Sequence, residues 1–321
     1  MKMIRVTYGK YAGLKCNGAE SMDDVTTDLH LDRASWLTAQ VESGGKFGTV
    51  INYDGTGMTA GIHQAIAVYP RALDDNLKAN DQGPLWRLLN RIWSLHDTRV
   101  LASVRDTLIA NMDRYGMILS PEGKCLDAPT GDLLSGKAIR NIFTGDASGV
   151  MPSSGPKRRQ AEEWVELFHD LFACHETFRS QLRFGEEHFV KRCERTKLRF
   201  CKVDSFKETT IREVCYPCAL PRVDSEGYTP DWDLAMCVYW SHSVNAPGMA
   251  LRKICKALDL TKLKLDMDKD FPRVLLKILA DTKYGRWHRS IAGGRYQRTR
   301  NYAMKIFPEN LFVGLDAIMP K

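Results

Sequence analysis

Two carboxylates placed on either side of a sugar–sugar bond can cleave it, and one stretch of this chain offers such a pair. Glu42 lies where a helical pattern runs out into Gly44-Gly45, and Asp54 lies in the turn Asp54-Gly55-Thr56-Gly57. That turn joins two short β-like segments, Phe47 to Tyr53 and Met58 to Ile62. In glycoside cleavage one carboxyl protonates the leaving oxygen and the other handles the anomeric side. Taken singly, each residue has an ordinary reading: a glutamate near a helix end is usually solvated, and an aspartate before glycine suits a turn by itself. The order of the parts raises both above that reading.

The elements that must position these residues can be read from spacing. Leu29, Leu31, Trp36, Leu37 and Val41 cover one side of a helix over Asp28 to Gln40. Gly44-Gly45 is a natural stop, because glycine takes the left-handed cap conformation without steric cost. Gln64 to Leu77 is expected to begin another helix, with a kink or break at Pro70. Pro84 to Met117 carries one or two amphipathic helices. Ser120 to Pro156 is rich in glycine and proline, with a short helix around Gly136 to Phe143. Gln160 to Phe184 repeats Trp164, Leu167, Phe168, Leu171 and Phe172 at helical spacing. Phe206 to Val214, Leu234 to Ser243, Gly248 to Leu258, Pro272 to Ala280 and Tyr296 to Phe307 are further helical stretches. The expectation is a mainly α (α+β) fold with a small β-hairpin beside a cleft. The halves divide at 1–150 and 151–321, the second half completing the same unit.

The sequence of a helix-end Glu, a hairpin with Tyr53-Asp54-Gly55, a Thr59-Ala60-Gly61-Ile62 step and then a helix resembles the catalytic core of the lysozyme superfamily. Glu42, Asp54 and Thr59 fall on the positions of the helix-end Glu, hairpin Asp and nearby Thr of phage-type lysozymes. Glu42-Ser43, Gly61-Ile62-His63-Gln64 and Pro70 are also similar to soluble lytic transglycosylases, although a fuller hairpin separates Glu42 from Gln64 here. The resemblance implies a lysozyme-like helical fold and cleavage of peptidoglycan at its β-1,4 bonds, with Glu42 as general acid. Partial burial would keep that carboxyl protonated near neutral pH by disfavouring the anion. Asp54 would orient a water or stabilise charge on the ring, and Thr59 would help hold the water. Ser43, Tyr53, Gln64 and Tyr69 would contact substrate, Gln64 through a sugar N-acetyl group and the tyrosines as faces for sugar rings. A transglycosylase needs no second carboxylate, and chitosanases share the two-acid scheme, so both stay open. The resemblance implies an endolysin or virion-associated lysozyme of a bacteriophage, and no cofactor.

Composition suits a soluble globular protein: 321 residues, 44% hydrophobic and 26% charged. No apolar run of membrane-spanning length occurs, and the N-terminus lacks the apolar stretch of a secretory signal, so synthesis in a cytoplasm is expected. Nine cysteines at irregular intervals read as buried thiols, without essential disulfides. Cys215-Tyr-Pro-Cys218 has zinc half-site spacing but no matching second half, and His175-Glu176 lacks the second histidine of a zinc-protease helix. Ser241-His242-Ser243 lacks a nucleophile elbow, and no nucleotide-binding glycine motif is present. The net charge of +7 favours anionic partners such as a bacterial envelope. Seven basic residues and no acidic one lie between Lys283 and Lys305, with Trp287, Tyr296 and Tyr302 among them. That run reads first as a solvated or paired face. Its competing reading is a basic nucleic-acid-binding or assembly protein, so that nucleic acid is not an obligate partner of the enzyme reading.

Overall fold

The computed structural model describes residues 3–8, 11–16, 30–52, 55–69, 82–95, 99–146, 148, 150–210, 213, 251–256, 258–259, 301–302 and 305. Helix outweighs strand, and the strands form a small antiparallel sheet, so the fold class is α+β. The chain divides into two compact units, one of residues 1–25 and 42–184, the other of 26–41 and 185–321. The expected boundary at 150/151 therefore falls inside the first unit. The physical reason is the helix that follows it, which supplies much of that unit's core.

In the first unit, β1 (Met3–Tyr8) and β2 (Tyr11–Cys16) form a hairpin, and β3 (Val50–Ile51), β4 (Thr59–Ala60) and β5 (Ala65–Ile66) continue it. The order is β1-β2-β3-β4-β5, antiparallel throughout. The small hairpin read from sequence is thus the far part of a five-stranded meander. Cys16 pairs with Val50, and Thr59 faces Ile51 on one side and Ile66 on the other.

Helix α1 (His30–Ser43) ends at Gly44 and Gly45, with φ of 69° and 73°, as the glycine pair requires. The chain passes from the second unit into the first within this helix, between Val41 and Glu42. Helices α2 (Leu85–Trp93) and α3 (Arg99–Arg114) fill the expected amphipathic region, and Met117 opens strand β6 (Met117–Leu119), which pairs with β7 (Cys125–Asp127). Helix α4 (Gly136–Thr144) is fixed at both ends by local chemistry. The Ser135 hydroxyl accepts from Ala138 N at 3.1 Å, and Gly145, at φ 73°, donates to the Asn141 carbonyl.

Helix α5 (Pro156–Ala173) begins with proline at its first turn and buries Ala161, Trp164, Val165, Phe168, Leu171 and Phe172. It packs on β2, β3, β4, α3 and α4. Phe143 of α4 lies at the centre of the aromatic core, 5.0 Å from Trp164, 5.5 Å from Phe168 and 5.9 Å from Trp86 between ring centroids. The single helix expected over Gln160 to Phe184 is two. Cys174 is extended and α6 (His175–Arg195) starts anew, a break that a continuous apolar stripe conceals.

In the second unit, residues 196–203 lead into the short helix α7 (Asp204–Lys207). The 251–259 stretch, helical at 251–256 and 258–259, buries Leu251, Ile254, Cys255 and Leu258. The Asp259 carboxylate accepts from the backbone N–H groups of Lys202 (2.9 Å) and Val203 (3.1 Å), tying the two segments together. Leu234 to Ser243, Pro272 to Ala280 and Cys215-Tyr-Pro-Cys218 lie outside the described residues. Among those described, Cys16, Cys125, Cys174, Cys201 and Cys255 are buried free thiols. No helix among the described residues is long and apolar enough to cross a membrane.

Candidate functional site

Glu42 sits in the last turn of α1, half-buried, followed at once by buried Ser43. What comes next is tied down bond by bond. The Ser43 hydroxyl accepts from Lys46 N (3.2 Å), and the Ser43 carbonyl accepts from the Thr49 hydroxyl (3.2 Å). Two left-handed glycines end the helix, and the segment then passes against α5. There the His169 ring donates from Nδ1 to the Gly48 carbonyl at 2.6 Å. A carbonyl can only accept, so the Nδ1 atom carries the proton. Gly48 has no room for a side chain: a Cβ there would stand 2.9 Å from the Ala173 methyl and 3.0 Å from the imidazole.

The second arm of the site is fastened in the same way. Thr59, on β4 and buried, has its hydroxyl 2.8 Å from that of Thr56. Gly61 follows at φ 80°, and a Cβ there would meet Phe172 and the Gln181 amide oxygen at 2.8 Å. The same oxygen accepts from Ile62 N at 3.0 Å, while the Gln181 amide nitrogen donates to the Phe172 carbonyl at 2.8 Å. Helices α5 and α6 thus grip both arms of the hairpin through backbone groups. The loop after Glu42 and the strand that carries Thr59 are held by supports within the protein itself.

Gln64 departs from its expected setting. It stands in the turn between β4 and β5, not at a helix start, and its φ is 53°, the positive-φ non-glycine residue among those described. Its amide nitrogen donates to the carbonyls of Thr49 (3.1 Å) and Gly61 (2.8 Å), so the side chain cross-links the two ends of the β3–β4 arm. Strand β5 then occupies Ala65–Ile66, and Val68 bridges to Gln82, which leaves no helix over 64–69. Tyr69 follows, half-buried. Ser43, whose expected role is at the substrate, serves the loop after the acid with both its hydroxyl and its carbonyl. Tyr53 and Asp54 lie outside the described residues.

Sequence reading did not single out His169, Gln181 or Thr49. The signal was present for the first two: a histidine within the apolar stripe Trp164, Val165, Phe168, Phe172, and a glutamine that is 2% exposed between Phe178 and Leu182. A polar side chain on a buried helix face must have a partner, and here the partner is backbone of the hairpin. Among the described residues no cluster of three or more His, Cys, Asp or Glu side chains could hold a metal ion. At the start of α6, Glu176 accepts from the Cys174 thiol at 2.7 Å.

Comparison with protein-family models, with curated proteins and with solved structures gives no match.

Proposed function

We propose that this chain is a lysozyme-like glycosidase that cleaves the β-1,4 bond between N-acetylmuramic acid and N-acetylglucosamine in peptidoglycan. Glu42 is the general acid of that reading and Asp54 the second carboxylate. The observation that supports it most is the bracing of the loop after Glu42. Proton transfer to a leaving oxygen needs the carboxyl within hydrogen-bond reach of that oxygen, and a displacement of about 1 Å can cost on the order of a hundredfold in rate. Here the segment from Ser43 to Thr49 is held by its own hydroxyls and by His169, and the facing strand by Gln64 and Gln181.

In the reaction, Glu42 gives its proton to the glycosidic oxygen as the bond to the anomeric carbon breaks. A water held by Asp54, with Thr59 close to it, then completes hydrolysis in a single displacement, which needs carboxyls roughly 6.5–9.5 Å apart. If Asp54 does not take part, the C6 hydroxyl of the muramyl ring attacks the anomeric carbon and gives its proton to the Glu42 carboxylate, and an anhydro sugar results. A bacteriophage endolysin or virion-associated lysozyme, made in the host cytoplasm and acting on the wall, fits this activity.

Glu42→Gln keeps the shape and removes the proton. Assayed by turbidity of purified peptidoglycan, it is expected to lose lysis by at least a hundredfold while its melting temperature stays that of the wild type. Lysis at the wild-type rate would remove Glu42 from the mechanism. Mass spectrometry of released fragments distinguishes reducing ends, from hydrolysis, from anhydro ends, from transglycosylation.

A further inference from the structure

The charge of this protein is segregated between its two units. The unit of residues 1–25 and 42–184, which holds Glu42, contains 20 Lys and Arg against 20 Asp and Glu. The unit of residues 26–41 and 185–321 contains 26 against 19, and so carries the whole net charge of +7. A uniformly basic surface would not divide so; the excess belongs to the second unit.

Within that unit the excess has a local form. Phe200 is 40% exposed, and two guanidinium groups lie over its ring: Arg199 and Arg252, each with Cζ 5.1 Å from the centroid. Neither arginine makes an ion pair among the described residues, and both are exposed. Cys201 packs against Cys255, and Lys202 N–H bonds to Asp259, so the 199–203 segment runs alongside the 251–259 stretch from Phe200 and Arg252 onwards. That placement sets the exposed lysines Lys202 and Lys256 on the same two segments. Acids described on these segments are already used: Asp259 by backbone N–H groups, Glu208 by Lys197 at 2.7 Å, Asp204 by Lys207 at 2.7 Å. Another cation–aromatic contact lies further along the same unit, where Lys305 is 5.2 Å from the Tyr302 ring at the end of the basic 283–305 run.

Cations alone would suit any polyanion. An exposed aromatic ring with two guanidiniums over it adds flat, polarisable groups, and these suit a partner that brings both phosphates and planar rings. From this arrangement we infer that Arg199, Phe200 and Arg252 form a single-stranded nucleic-acid-binding surface on the second unit. Phosphates pair with Lys202, Lys256 and the guanidinium N–H groups, and bases stack on the guanidinium planes that the Phe200 ring supports. This surface does not depend on the glycosidase reading, since it shares no residue with the Glu42 site.

The test uses the full-length protein and a fluorescently labelled oligothymidylate, with anisotropy read over a range of salt concentrations and inorganic polyphosphate of equal charge as competitor. The wild type is expected to bind the oligonucleotide in preference to polyphosphate. Arg199→Ala with Arg252→Ala should weaken binding and flatten the plot of log affinity against log salt by about 1.4, since each phosphate contact on a single strand contributes about 0.7. Phe200→Ala should weaken oligonucleotide binding roughly tenfold and leave the salt slope unchanged, because stacking is lost and no charge is. Phe200→Leu, which keeps apolar bulk under the arginines, should show the same loss and guards against local unfolding. If polyphosphate competes equally and both Phe200 variants bind as the wild type does, the surface is a base-blind anion binder and the inference is overturned. Unchanged affinity and slope in the double arginine variant overturn it as well. Peptidoglycan lysis by any of these variants has no bearing on either outcome.

Discussion

Gln64 holds a backbone conformation that L-residues avoid, at a cost of about 1–2 kcal/mol, and offsets it with two side-chain bonds across the turn. Two substitutions separate those effects. Gln64→Ala loses the bonds and keeps the strain, whereas Gln64→Gly loses the bonds and relieves it. Urea unfolding should therefore find the glycine variant more stable than the alanine variant by about 1 kcal/mol. The reverse ranking would mean that the left-handed turn is not present in solution. His169 allows a second comparison at this scale. His169→Leu strands the buried Gly48 carbonyl and should cost about 1–3 kcal/mol, while His169→Asn keeps a donor near the Nδ1 position and should recover most of that loss. These residues also mark what the sequence shows. Glu42 could be placed at a helix end because two glycines follow it. Gln64 could not be placed, because Gly-Ile-His-Gln carries no local cue for a left-handed fourth residue, and its partners are the backbone carbonyls of Gly61 and Thr49, which no side-chain pattern marks.

At the scale of elements, the hairpin is defined by what α5 and α6 allow near it. Gly61 is left-handed and in contact with Phe172 and Gln181, so Gly61→Ala meets both a strained φ and an occupied space. A loss of about 2 kcal/mol or more is expected in thermal or chemical unfolding. A change below about 0.5 kcal/mol would show that the hairpin is not seated on α5. Phe143 plays the matching part in the core, touching Trp86, Trp164 and Phe168, and Phe143→Ala should cost about 3–5 kcal/mol. Elements with a strong local signal, such as α2, α4 and α5, follow from periodicity and caps. The meander does not, because β3, β4 and β5 are two residues each and exist only through their neighbours. The break at Cys174 escaped for the opposite reason: the apolar stripe runs on through it, and only the extended backbone of Cys174 interrupts the helix.

For the molecule as a whole, the buried thiols set an alkaline limit. Burial pushes Cys16 up from 9.0 to about 11, and Cys125, shielded by burial alone, is raised further. A thiol whose folded pKa is raised stabilises the fold fully below its unfolded pKa. That contribution fades as pH climbs through the interval between the unfolded and folded values. Stability should accordingly fall between about pH 9 and 11, measured as urea midpoints with reductant present, and Cys125→Ser or Cys16→Ala should shrink the slope. The same burial predicts that neither thiol reacts with iodoacetamide at pH 8 until the protein unfolds. The two-unit division was not legible in composition, since the loop-rich 120–156 region looks like a linker and is in fact the approach to the central helix.

One consequence concerns the order in which the protein is made. The contacts that hold the arms of the Glu42 site join residues 121 and 119 positions apart, Gly48 to His169 and Ile62 to Gln181. A ribosome delivers the acid early and its supports late, at about 5–20 residues per second. For several seconds, then, each nascent chain carries Glu42 without the clamp that would aim it. Both clamps are complete only once α6 has left the exit tunnel, and a chain terminated before Gln181 lacks the bond to Ile62.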